Sequence, residues 1–453
     1  MRKTILLSLA VAFGPIHLPA AVTPEQAARL NGPELTPVGA ERAGNADGSI
    51  PDWSGGLTAP PADYEPGRQH ADPFSADPVL FRISAANMQE FADKLSAGQK
   101  ALLRAYPDSW HLRIFRSRRS AAYPAWVYSA IRDNATNAEV VRKGKGGVTG
   151  ANVSSPFPIP ESGVEVVWNH NLRWRGIRVH RTFGQAAVTR KGRYTVTLAL
   201  QDWALPYGAR PDTTLRKKFP NLLLALKSKT VEPGLLSGEG SLTLEPIDQT
   251  TDPRKTWQYN RALRRILRLP NVAHDYPAFN VDNLRTVDEF DMFNGSPEYY
   301  DWRLLGKKEL YIPYNAYPLH SGDAGYGDIL RKRHINPELG RYELHRVWVV
   351  EGTLKPDKKH IYARRVFYLD EDSWQIAAAD NFDAKGNLWR TSEAHALNYY
   401  EVPVQWSTLE VYYDLKQRRY LVSGLDNQRR PYRFTDEADP REFSPNALSF
   451  YIR

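Results

Sequence analysis

Between residues 341 and 404 apolar side chains recur at every second position, with no helical period. Tyr342, Leu344, Trp348, Val350 and Leu354 fall on one strand face before Lys355-Pro356-Asp357-Lys358 breaks the run. In a second run, 360–369, Ile361, Ala363, Phe367 and Leu369 share one parity and Tyr362, Val366 and Tyr368 the other, so both faces carry apolar groups. Turn residues Asp370-Glu371-Asp372-Ser373 and Asp383-Ala384-Lys385-Gly386 bracket a third strand, 374–382, and a fourth starts at Leu388. The pattern predicts an antiparallel meander whose acids Asp370, Glu371 and Asp372 stand at a solvated hairpin tip.

Upstream the period changes. Stripes of Met88, Phe91 and Leu95, then of Leu102, Leu103 and Tyr106, predict helices over 84–95 and 96–106, and Ser96-Ala97-Gly98-Gln99 matches a capping box. Further helices are predicted over 124–132 and, with Val164, Val167, Trp168 and Leu172 on its stripe, over 163–174. The two-residue period begins at Gly176, with strands over 177–183 and over 193–202, where Tyr194, Val196, Leu198 and Leu200 share a face. Residues 215–226 and 242–245 read as strand-like or mixed, and 257–269 alternates apolar residues with Arg261, Arg264, Arg265 and Arg268. Residues 271–283 are irregular, 302–317 is strand-rich, and a last strand pair lies around 409–425. Helices segregated before a long antiparallel sheet give an α+β class. The expected architecture is a large curved antiparallel sheet, an incomplete β-barrel, covered by helices from the N-terminal third.

The N-terminal segment, the lack of cysteine and the charge balance add three constraints. Met1-Arg2-Lys3, an apolar run over 5–13 and the exit Leu18-Pro19-Ala20 have the layout of a secretory signal peptide cut after Ala20. The run is shorter than the roughly 20 residues of a membrane span, so a soluble periplasmic product is expected. The division is a signal peptide (1–20), an extended wrapping arm (21–80) anchored by Trp53, and a single helix-capped half-barrel (81–453), with helices mainly in 84–174 and sheet mainly in 176–425. The absence of cysteine excludes disulfides, a lipid-modified cysteine, zinc–thiolate and iron–sulfur sites and thiol nucleophiles. The net charge of +9 has no basic run longer than Arg116-Ser117-Arg118-Arg119. Transient contact with an anionic membrane surface fits this excess and an exported protein; nucleic acid does not.

Candidate chemistry is sparse. Lys143-Gly144-Lys145-Gly146-Gly147 lacks the Lys-Ser/Thr pair of a phosphate loop, and no hydrolase elbow, zinc helix or calcium loop occurs. No cofactor or metal is expected. Glu393 and His395 share a strand face and define an alternative, an enzyme acting on envelope lipid or glycan by acid–base chemistry. Apolar cover on both faces of a curving sheet instead implies a lined cavity for a ligand with long hydrocarbon parts. Its wall is expected from Trp302, Leu304, Trp348, Val350, Phe367, Trp374 and Trp389, with Arg346 and Arg365 placed to meet an acidic head group or pair with a carboxylate. An integral outer-membrane barrel fits poorly with charges such as Arg364 and Arg365.

Several longer peptides carry a resemblance: 39–48 (Gly39 to Gly48), Tyr106-Pro107-Asp108, Ala122-Tyr123-Pro124, Pro156-Phe157-Pro158-Ile159-Pro160, Trp168-Asn169-His170, Tyr300-Asp301-Trp302, Tyr311-Ile312-Pro313-Tyr314-Asn315, 341–348 and 368–374. Over nearly the whole mature chain the sequence resembles the domain-of-unknown-function 1329 family, exported Gram-negative proteins often labelled outer-membrane lipoprotein-sorting protein. The resemblance implies a fold like the carriers LolA and LolB, an incomplete antiparallel barrel capped by helices over an apolar cavity. It also implies proximity to resistance-nodulation-division transporters and carries no catalytic residues. The expectation is a non-enzymatic periplasmic carrier for a lipid or acylated lipoprotein, with a membrane transporter and an outer-membrane protein as partners.

Overall fold

The computed structural model describes residues 22–452 apart from 145, 262, 271 and 273. The expected signal peptide lies outside the described residues. The strands are β1 (Phe81–Ile83), β2 (Leu112–Phe115), β3 (Glu139–Val140), β4 (Val148–Thr149), β5 (Arg178–Val188), β6 (Val196–Ala204), β7 (Leu222–Glu232), β8 (Gly240–Pro246), β9 (Lys255–Asn260), β10 (Arg265–Leu269), β11 (Tyr300–Pro313), β12 (Tyr342–Leu354), β13 (Arg364–Asp370), β14 (Ile376–Phe382), β15 (Leu388–Tyr399), β16 (Val404–Asp414), β17 (Arg419–Leu425) and β18 (Arg433–Thr435). The helices are α1 (Pro24–Ala27), α2 (Ala97–Ala105), α3 (Ala125–Asn137), α4 (Gly163–Leu172), α5 (Thr214–Lys218), α6 (Tyr317–His320), α7 (Tyr326–Ile329) and α8 (Pro445–Ile452).

All strands except the small β3–β4 pair join one curved, unclosed sheet in the order β1-β2-β12-β13-β14-β15-β16-β17-β5-β6-β7-β8-β9-β10, with β11 on β12 and β18 on β5. Among the described residues only β2 with β12 pairs in parallel. The meander continues from β11 to β17, then β17 pairs antiparallel with β5, so the C-terminal strands are inserted beside the N-terminal ones. One outer strand, β10, carries the exposed Arg265 and Arg268, charges that discourage edge-to-edge pairing.

The helices cover the sheet at separate places. The α2 capping box forms as expected, Ser96 and Gln99 exchanging hydrogen bonds, and Leu102 and Leu103 are buried. Trp168 and Leu172 on α4 enter the main apolar core. Residues 84–95 form only turns and a single 3-10 turn, Ala92–Lys94. There the Asn87 side chain accepts from the Ser84 N–H at 2.8 Å, a local bond that competes with helix. The mixed stretch 215–226 resolves into α5 and β7, separated by Pro220, which cannot continue a helix. The C-terminal α8 has no counterpart in the expected layout.

Residues 22–80 contain α1 and otherwise little regular structure. Val38, Ala40 and Ile50 are buried, whereas the expected anchor Trp53 stays partly exposed, with the Arg42 guanidinium 5.0 Å above its ring. This segment covers the turn between β13 and β14. Trp374 Nε1 donates to the Val38 carbonyl at 3.2 Å, and Arg119 donates to Asp372 at 2.8 Å and to the Glu41 carbonyl at 2.7 Å. Asp370, Glu371 and Asp372 are therefore buried, not a solvated tip: basic partners and the overlying segment replace water.

Candidate functional site

Along β5 to β9 side chains spaced two apart face one cavity. Phe183 and Gln185 come from β5, Thr197, Ala199 and Gln201 from β6, Leu224, Leu226, Ser228 and Thr230 from β7, Ser241, Thr243 and Glu245 from β8, and Thr256 and Gln258 from β9. Strand register aligns Gln201, Ser228, Ser241 and Gln258 in one cross-strand row, with Leu226, Thr243 and Thr256 in the next. The opposite parity, including Ala225, Leu242 and Trp257, packs on Leu448 and Ile452 of α8. A chain-terminal helix thus backs the floor.

The facing wall is the irregular segment after β10, through Val272, Phe279, Arg285, Val287, Phe290 and Asn294. Floor and wall border a partly open cleft of about 200 Å³. The wall is fixed from behind. Asp288 accepts from Arg365 at 3.0 and 3.1 Å and faces His360 at 3.2 Å, while the Tyr362 hydroxyl donates to the Glu289 side chain. Burial alone would raise the Asp288 pKa, but Arg365 and His360 overcome it and hold that carboxyl well below the usual range. Phe290 stacks on Trp203 of β6 with ring centroids 5.2 Å apart.

The lining is amphiphilic. Phe183, Leu224, Leu226, Leu269, Val272, Phe279, Val287 and Phe290 supply apolar surface, while Ser, Thr and Gln occupy much of the floor. Glu245 and Arg254 form a buried ion pair at one end; burial raises the Glu245 pKa against the pull of Arg254. Arg254 Nη2 also donates to the Asn294 carbonyl at 2.7 Å. Two other clefts, about 380 and 490 Å³, flank α3 and share Ser129 and Asp133. They are larger, but each is lined by one helix and loops, without the converging strands of the first.

None of the residues expected to form the wall lines the β5–β9 cavity. Val350, Phe367 and Trp374 are at most 1% exposed inside a filled core, with Trp302, Leu304 and Trp348 packed against it. Trp302 lies 5.4 Å from the Phe367 ring, and Trp348 stacks on Trp374 at 6.0 Å. The apolar residues of α4 fill the space beside these strands. Trp389 packs edge-on to Tyr362 at 5.7 Å. Arg346 faces Glu41 at 3.3 Å and Glu371 at 3.5 Å, and Arg365 is committed to Asp288. Both arginines pair with carboxylates inside the fold.

Glu393 and His395 are 1% and 0% exposed and line none of these cavities. Glu393 accepts from Tyr342 Oη at 2.8 Å and Gln99 Nε2 at 3.0 Å, and burial pushes its pKa up to about 7. His395 has no partner on either ring nitrogen among the described residues, and burial pushes it down to about 3. A substrate has no access to this pair. His345, Asp370 and Asp372 offer ligand atoms within 4.8 Å of one another. Arg119 holds both Asp372 oxygens and Glu343 lies 3.2 Å from His345 Nε2, while Asp370 accepts from Ser373 Oγ through Oδ2 and leaves Oδ1 without a partner among the described residues.

The family described as "Protein of unknown function (DUF1329)" matches residues 82–449. An uncharacterised protein of Pseudomonas aeruginosa is 43% identical over 441 residues, covering 97% of this chain and 96% of that protein. Among solved structures, a putative outer membrane lipoprotein-sorting protein domain from Vibrio parahaemolyticus is 14% identical, with 60% of this chain and 92% of that one covered and a TM-score of 0.41. A DUF1329 family protein from Desulfovibrio piger has the same identity and coverage and a TM-score of 0.40. A LolA superfamily protein from Nitrosomonas europaea is 10% identical over 64% of this chain and 100% of that one, with a TM-score of 0.37. The family match and the extended identity to the Pseudomonas protein place this chain in the DUF1329 family.

Proposed function

We propose that this protein is a periplasmic carrier that binds an amphiphile, a lipid or the acylated end of a lipoprotein, between the β5–β9 floor and the 270–294 wall. The observation that carries the proposal is the cavity itself: a partly open cleft with apolar side chains on both walls and a hydroxyl- and amide-rich floor. Apolar burial at about 25 cal/mol per Å² drives chain binding, and the polar floor accommodates a head group. At about 200 Å³ the space is smaller than the ~300–1,000 Å³ of drug-sized pockets. It holds one chain segment and a small head, and a larger cargo extends through the mouth.

Exchange with a membrane is supported by the β9–β10 hairpin. Leu263 and Leu267 are 59% and 41% exposed, Arg261, Arg264, Arg265 and Arg268 surround them, and Leu269 of the same hairpin lines the cavity. Apolar tips among arginines suit an anionic bilayer surface. Handover between a membrane transporter and the outer membrane is the role proposed for such a carrier, which acts by binding and not by catalysis. Native mass spectrometry with lipid extraction, on protein recovered from a Gram-negative periplasm, tests this. The expected result is a mature chain beginning at Ala21 with an extractable lipid adduct. A bare chain that also fails to take up a fluorescent fatty-acyl probe contradicts it.

A further inference from the structure

Arg285 is only 7% exposed and lines the β5–β9 cavity. Its Nε and Nη1 meet no hydrogen-bond partner among the described residues. The guanidinium carbon lies 5.3 Å above the Phe290 ring and 5.7 Å from that of Tyr412. Glu410 feels its charge, but that carboxylate is occupied by Ser407 Oγ at 2.9 Å and the Tyr412 hydroxyl at 2.5 Å. Arg254, across the same lining, also leaves Nη1 without a partner among the described residues after binding Glu245 and the Asn294 carbonyl.

Arg119, Arg173, Arg341 and Arg365 are buried and each holds a carboxylate, and the equally buried Arg181, which holds none, donates instead to Gln201 Oε1 and the Tyr432 hydroxyl, both at 2.8 Å; Arg285 has neither kind of partner among the described residues. Leaving such donors unsatisfied is costly, and a planar fork fits the oxygens of a carboxylate or phosphate. We infer that Arg285 is the head-group subsite of the cavity, selecting amphiphiles whose polar end is a carboxylate or a phosphate ester over neutral ones. This rests on the carrier reading and narrows it. The aromatic rings beside Arg285 hold the guanidinium without neutralising it, and the apolar lining from Leu224 to Leu226 takes the chain.

The test is competition titration of a fluorescent fatty-acid probe by three ligands: a long-chain carboxylate, its methyl ester and an alkyl phosphate. The wild-type protein is expected to bind both anions about tenfold or more tighter than the ester, the range set by a charge-assisted hydrogen bond. Arg285→Gln is expected to bring the anion-to-ester ratio near one, and Arg285→Lys to keep part of the preference. Equal binding of anion and ester by wild type overturns the head-group subsite while leaving the carrier; this ratio decides the matter even where Arg285→Gln does not fold. Inorganic phosphate that competes as well as alkyl phosphate also overturns it, because the site then takes free anions. Binding of none of the three overturns the carrier reading and the subsite together.

Discussion

Arg365 and Asp288 show what a buried charge does in this protein. The pair ties the cavity wall to β13, with Arg365 0% and Asp288 3% exposed. Arg365→Met strands the Asp288 carboxylate, and a loss of about 3–5 kcal/mol is expected in urea unfolding, with most of it recovered in Asp288→Asn/Arg365→Met. The same single substitution should weaken probe binding, because the wall loses its tether. Glu393 acts in the opposite direction. Its folded pKa of about 7 lies above its ordinary 4.5, so the native state holds the extra proton between those values and stability falls as pH rises through that window. Glu393→Gln keeps the shape and lets Tyr342 Oη turn to accept, so it should be more stable than wild type at about pH 8 by about 2–3 kcal/mol, with the gain gone at about pH 4. Urea midpoints at the two pH values check this.

At the scale of elements, the meander, the capping box of α2 and helix α4 are legible because alternation and capping are local signals. The cavity floor is not. Thr197, Gln201, Ser228, Ser241 and Gln258 alternate with apolar residues as a solvent face would, and nothing local distinguishes water from a lined cavity. Arg285 is hidden for a similar reason: it sits in a segment without period, and its isolation from carboxylates is a property of three-dimensional packing. Phe367 belongs to a strand apolar on both faces, whose second face is satisfied by α4 in place of ligand, and Trp374 lies in the turn between β13 and β14 beneath the N-terminal segment. The β9–β10 hairpin is legible as a basic cluster, and its surroundings assign it a use. Reversing Arg264 and Arg265 to glutamate should cut co-sedimentation with anionic vesicles severalfold, and salt should weaken wild-type binding alike.

The whole molecule divides one sheet between two tasks. From β11 to β16 it packs a filled core, and from β5 to β9 it leaves a space between its floor and a tethered wall. Truncation in the first part is therefore a stability change: Phe367→Ala should cost about 3–5 kcal/mol and leave probe affinity unchanged in the folded protein. Obstruction in the second part should do the reverse. Thr243, on β8 beside Thr256 at 3.3 Å, points into the cavity, and a tryptophan there fits a strand while occupying the space. The most direct measurement is equilibrium titration of a fluorescent fatty-acyl probe into wild type and Thr243→Trp, each confirmed folded by its urea transition. Saturable binding by wild type, weakened at least about tenfold in the variant, is the predicted result; equal affinity in both, or no binding to wild type, would contradict a cargo site in this cavity.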